Sequence, residues 1–150
     1  MFLATLDFLA AIKESPMTRR IIADALTVIS VLFVFSFGLQ YLFTPAEVAP
    51  SMGFAHWPTG EAAEFLSVKG VRDLASAIVI LVLLAIRERR ALGWVLLAIA
   101  LIPIGDGSLI LVHDGSTAAA FGIHYATAVA VIVTGLLQLS VAKRAKAVAA

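Results

Sequence analysis

A helix needs roughly 20 apolar residues to cross a hydrocarbon layer about 30 Å thick, and this chain offers that length four times, over residues 21–43, 65–86, 91–112 and 119–139. In lipid, backbone polar groups must be satisfied within the segment itself, so such runs fold as helices. A soluble core could not absorb them all: 61% of the 150 residues are hydrophobic and only 14% charged, and the mean hydropathy of +1.02 lies outside the range of soluble domains. The expected fold is all-α, a four-transmembrane-helix bundle occupying residues 17–150.

Basic residues set the orientation. They gather as Lys13, Arg19 and Arg20 before the first span, as Arg87, Arg89 and Arg90 between the second and third, and as Lys143, Arg144 and Lys146 after the fourth. The other two loops hold none. By the positive-inside rule both termini and the RERR turn are cytoplasmic, in a multi-pass protein of the cell membrane. Residues 1–16 fit two readings: an interfacial amphipathic segment with Phe2, Leu3, Leu6, Leu9 and Ile12 on its apolar face, or an N-terminal extension ahead of a start at Met17. The long first outer loop, with Phe54, His56 and Trp57, is expected to cap the bundle and to place Trp57 as an interfacial anchor.

Composition also removes chemistries. Without cysteine there is no disulfide, thiolate nucleophile or thiolate metal site. A formal net charge of +1 gives no basic surface for nucleic acid. No HExxH, phosphate-binding loop or GxSxG occurs, and Asp106 and His113 lie about 10 Å apart along a helix axis. Neither a metal nor a cofactor is expected. The expected partners are the lipid bilayer and a small lipophilic ligand. Small residues such as Gly122, Ala126 and Ala130 serve packing within and between chains alike, which leaves oligomerisation open.

With that orientation, the ionisable residues of the spans fall in the outer half. Lys69, Arg72 and Asp73 lie roughly 6 to 12 Å inside the outer end of the second span. Asp106 lies below His113 in the third, His124 opens the fourth, Gln40 and Tyr41 close the first, and Glu64 begins the second. The inner half reads as almost pure Ile, Leu, Val and Ala. A charge at the centre of a spanning helix costs about 2.5 to 3.5 kcal/mol, so these groups are expected to face one another. Lys69, Arg72, Asp73 and Ser76 follow i, i+3, i+4 and i+7, and His124 and Thr127 begin a second stripe. Pro103, followed by Gly105 and Gly107, should bend the third span.

Two functions fit this set. In the first, a cofactor-free acid–base enzyme opens an epoxide, or cyclises, hydrates or isomerises a small lipophilic substrate. Asp73, Asp106, Arg72, His124 and His113 would be catalytic, with Lys69, Gln40, Tyr41, Glu64, Ser76 and Thr127 lining the pocket. Arg72 would hold one carboxylate ionised, the other would serve as an acid, and the histidines would relay protons. In the second, the chain is a non-catalytic membrane subunit or lipophilic-ligand-binding protein whose buried charges staple helices. Transport is poorly served, because Asp24, Thr27, Ser30 and the stretch 134–138 are the only polar steps through the inner half.

The stretch VKGVRDLASAIVILVLLAIRERRALGWVLLAIALIPIGD, followed by HDG and HYATA, resembles a family of small four-helix integral membrane proteins of unknown function, more distantly similar to DoxX-like membrane proteins. Lys69, Gly70, Arg72, Asp73, Gly105, Asp106, His113 and His124 carry the resemblance, from about Phe43 onward. It implies the four-span architecture and brings no reaction or ligand. The orientation is testable alone: a cysteine at Ser116 should react with an impermeant thiol reagent added outside cells, and one at Glu88 should not. The reverse pattern would overturn it.

Overall fold

A computed structural model describes residues 16–57 and 59–148; the readings of the first fifteen residues lie outside that range. Its helices are α1 (Pro16–Phe43), α2 (Pro45–Val48), α3 (Glu64–Ala85), α4 (Arg89–Ile99), α5 (Leu101–Val112), α6 (Thr117–Ala119) and α7 (Ala126–Val148). Ala49–Met52 and Gly60–Ala63 are 3-10 turns, and a π-helical segment, Ala120–Tyr125, joins α6 to α7. No strand occurs among the described residues.

Three rods are long and apolar enough to cross a membrane: Met17–Phe43, Arg89–Val112 and Thr117–Ala145. α3 has a comparable 22 residues but carries Lys69, Arg72 and Asp73 in its first half. It differs from the other three in charge, not in length. The third rod is interrupted at Ala100 rather than at Pro103. Proline has no N–H to offer the carbonyl four residues back, here that of Ile99, so the helix breaks one turn early.

Both short turns are closed by the same pair of bonds. Glu88 N donates to the Leu83 carbonyl at 3.0 Å and Arg87 N to Leu84 at 3.1 Å; Gly115 N donates to Ile110 at 2.8 Å and Asp114 N to Leu111 at 3.3 Å. This is the Schellman arrangement, which needs a left-handed residue just past the helix. Arg87 and Asp114 fill that position, with φ of 62° and 54°.

The four rods pack as two pairs, α1 on α3 and α4 on α7. Glycine lets the backbones touch in both. A Cβ at Gly70 would come within 2.7 Å of the Gly38 carbonyl oxygen and 2.8 Å of Leu42 N, and one at Gly93 within 2.9 Å of the Gly135 carbonyl oxygen. The sequence reading sought such contact at Gly122, where a Cβ would meet nothing within 4 Å. Val31, Ala77, Ile80, Leu92, Leu96, Ala100 and Val131 form the core between the pairs.

Two structures tie the pairs together at their ends. At the end that holds the turn between α3 and α4, Arg89 Nη1 and Nη2 donate to the two Asp24 carboxylate oxygens at 2.6 and 2.8 Å, and Nη1 also donates to Gln138 Oε1 at 2.8 Å. Gln138 Nε2 donates in turn to Thr27 Oγ1 at 3.0 Å and to Asp24 at 3.2 Å. The half expected to be almost pure Ile, Leu, Val and Ala, with a few separate polar steps, therefore holds a connected polar cluster. Arg89, which the sequence reading used only for topology, draws these polar groups into one fully paired cluster. At the opposite end, the first loop caps the bundle as expected. Tyr41, Val48 and Met52 are buried in it, and Phe54, Trp57 and Leu66 pack against them. Ser116 N donates to the Gly53 carbonyl at 2.7 Å, fastening the loop to the turn beyond α5. Trp57 meets Phe54 edge-on at 5.6 Å, so it is part of the cap.

Gly70→Ala should lower stability in detergent by about 1 to 3 kcal/mol, the range for overpacking against atoms that cannot yield. Gly122→Ala should leave the thermal midpoint unchanged in the same measurement.

Candidate functional site

The contact of Gly70 with α1 fixes how α3 is rotated. Its buried face runs through Gly70, Asp73, Ala77 and Ile80. Lys69 and Ser76 flank that face and border a cavity of about 90 Å³ between the helix pairs. Arg72 lies two residues beyond Gly70, roughly 200° around the helix, and is exposed on the far side.

Lys69 is the hub of the polar end. Its Nζ donates to the two Asp73 oxygens at 3.3 and 3.0 Å and stands 3.5 Å from Asp106 Oδ2 on α5. It also lies 5.3 Å above the centre of the Tyr41 ring, a cation–π contact from α1. Asp106 Oδ2 is 3.9 Å from His124 Nδ1, and His124 Nε2–H donates to the Met52 carbonyl of the cap at 3.1 Å. A carbonyl can only accept, so this bond fixes Nε2 as the protonated nitrogen and turns Nδ1 toward Asp106. The rest of the wall is largely apolar, with Phe33, Phe37, Ile102, Pro103, Ile123 and Val131, while Ser51, Ser76 and Thr127 add hydroxyls.

His124 reaches this position from the π-helical segment Ala120–Tyr125. A π turn holds more residues than an α turn, which re-aims the side chains within it, and such turns recur at functional sites. Next to it, Tyr125 and Ser108 share a hydroxyl hydrogen bond of 3.0 Å between α5 and this segment.

Of the side chains singled out from sequence, Lys69, Asp73, Asp106, His124, Tyr41, Ser76 and Thr127 come together around the cavity. Four do not. Besides Arg72, Gln40 is exposed, and its Nε2 donates to the Ser36 carbonyl at 3.1 Å. Glu64 is exposed at the start of α3 and accepts from Ser67 Oγ at 3.1 Å. His113 follows the last residue of α5 with φ −102° and ψ 28°, so its seven-residue spacing from Asp106 no longer places both on one face. It is exposed, 6.2 Å from the Phe54 ring.

One partner is not foreseen from sequence, and the roles of Lys69 and Arg72 are exchanged. The Met52 carbonyl is a backbone group and leaves no mark in residue type. Lys69 was placed in the wall, and Arg72 was given the role of central cation that Lys69 fills.

Residues 31–138 match the model of a family described as a domain of unknown function, DUF4267. The chain belongs to that family. The matched span begins within α1, earlier than the resemblance noted from sequence, and includes the entire polar cluster and the described part of the cap. Comparison with curated proteins and with solved structures finds no match.

Because Lys69 offsets two carboxylates, Lys69→Met should be the costliest change in the cluster, on the order of 3 kcal/mol as for a broken buried pair. Adding Asp73→Asn to that variant should recover part of the loss. Thermal unfolding of the single and double variants checks both.

Proposed function

We propose that this chain is a four-span protein of the cell membrane with both termini in the cytoplasm, and that its outer half holds a site for acid–base chemistry on a small lipophilic molecule. The position of Asp106 supports this best: it lies between Lys69 and His124, at 3.5 and 3.9 Å, on the wall of a largely apolar cavity. The fourth span is α3, which pairs Lys69 and Asp73 inward and leaves Arg72, and Glu64 at its first residue, exposed. A long basic side chain on such a helix can reach toward the interface.

Asp106 and His124 are the proton-transfer pair. With Nε2–H given to Met52, Nδ1 is the ring nitrogen free to exchange a proton on the Asp106 side. At 3.9 Å the two groups are too far apart for a direct hydrogen bond, and a substrate heteroatom or a water can stand between them. One group removing a proton and the other returning it shifts a double bond. A proton given to oxygen while water attacks carbon opens an epoxide. Asp73 has both oxygens on Lys69, which makes it a positioning residue and leaves the chemistry to Asp106.

The saturation of Asp73 and Lys69 favours a second reading, a lipophilic-ligand-binding or subunit role in which the cluster staples α3 to α5. The distant likeness to DoxX-like membrane proteins is compatible with either.

Asp106→Asn separates the two. Protein in phospholipid vesicles is incubated with a panel of lipophilic epoxides and alkenes, and products are read by mass spectrometry. The acid–base reading expects turnover by the parent protein and a loss of roughly 100-fold or more in the variant, the contribution of one general acid or base, with its thermal midpoint little changed. A variant as active as its parent would overturn the role of Asp106, whereas an inactive parent whose variant melts lower would support the staple.

A further inference from the structure

A second hollow runs along the outside of the bundle between α1 and the beginning of the fourth rod. Gly122, Ala126 and Ala130 form one side, and Ile29, Phe33 and Phe37 of α1 the other. It adjoins the polar cavity, because Phe33, Phe37, Ile123, Thr127 and Val131 line both. The Phe33 and Phe37 rings, 5.0 Å apart, stand at the boundary.

The hollow is apolar in effect as well as in composition. Ser30 Oγ donates to the Leu26 carbonyl at 2.9 Å and Thr127 Oγ1 to Ile123 at 2.6 Å, so neither hydroxyl needs an outside partner. Ile29 is 61% exposed and Phe33 41%, and the space above Gly122 is open. From Ile29 to Phe37 the hollow follows α1 for about 12 Å, with the polar cluster beyond its outer end. In a spanning bundle, this face meets hydrocarbon.

Charge selects what may lie there. Lys69 faces two carboxylates, Asp73 and Asp106, which leaves one negative charge in excess when His124 is neutral. An anionic head would be repelled. Asp106 directs Oδ2 toward both Lys69 and His124, while Oδ1 accepts no hydrogen bond among the described residues and is not sealed from its surroundings. A neutral group that donates a hydrogen bond satisfies it. We infer that the hollow admits one hydrocarbon chain from the outer leaflet whose hydroxyl end donates to Asp106, so that the molecule taken up is a membrane-borne long-chain alcohol. This rests on the four-span, acid–base reading above and adds to its substrate, a lipophilic epoxide or alkene, a hydroxyl end.

The test is photolabelling of the protein in phosphatidylcholine vesicles with a long-chain primary alcohol carrying a mid-chain diazirine, beside the matching carboxylic acid and alkane. The alcohol should label peptides covering 29–37 and 122–131 several-fold more than the acid or the alkane does. Unlabelled alcohol should compete, which needs no variant. Gly122→Trp, built into open space, should cut this labelling several-fold, whereas Leu136→Trp on another exposed face should not. Asp106→Asn should bring the alcohol down to the level of the alkane. Equal labelling by all three probes in the parent protein, or labelling spread over every lipid-facing peptide and unmoved by Gly122→Trp, overturns the inference. Alcohol-specific labelling of the hollow, with no turnover of any compound by the parent, upholds the site and removes the catalytic reading alone.

Discussion

The backbone contact between Gly38 and Gly70 is the constraint on which the rest of this structure depends. Without side chains between them α1 and α3 approach until main-chain atoms touch, and a helix held that closely has one rotation available. That rotation decides which of the neighbouring charges point inward. Lys69 and Asp73 are carried to the interior, Arg72 is turned out, and Asp106 has a cation to face. A larger residue at position 70 would separate the helices and release the rotation together.

The interior then follows a simple electrostatic rule. Groups that are costly to strip of water occur only where each finds a partner, and these places are the two ends of the bundle. Arg89, Asp24, Gln138 and Thr27 close one end with fork-like, nearly saturated bonding. Lys69, Asp73, Asp106 and His124 close the other more loosely, with separations of 3.5 and 3.9 Å around Asp106. The apolar core of Val31, Leu96 and Val131 lies between them. The two ends thus differ in how fully their polar groups are bonded to one another.

Much of this was legible in the sequence, for reasons particular residues make plain. Apolar run length predicts the rods, and the cost of burying charge predicts that Lys69, Asp73, Asp106 and His124 meet. Helical spacing failed where rotation or regularity was decided by something else. Arg72 satisfies the same i, i+3 rule as its neighbours, but the buried face centres on Gly70 and excludes it. His113 shares a heptad spacing with Asp106, yet the helix ends just before it. The π turn that aims His124 leaves no trace in hydrophobic pattern, because it changes the count of residues per turn and not their type. The cluster around Arg89 was missed because Asp24, Thr27, Arg89 and Gln138 are far apart in sequence, and only the packing of α1, α4 and α7 assembles them.

The division into two glycine-joined pairs has one more consequence. Each pair is held by main-chain contact, whereas at the capped end the plane between them is spanned by the contacts Asp106 makes with Lys69 and those His124 makes with the cap. A molecule that engages Asp106 or His124 must exchange its own interactions for some of these. Its occupancy and the separation of the pairs are then thermodynamically linked, and the linkage is reciprocal. Anything that spreads the pairs acts on how tightly such a molecule is held to the same extent that holding it acts on their separation.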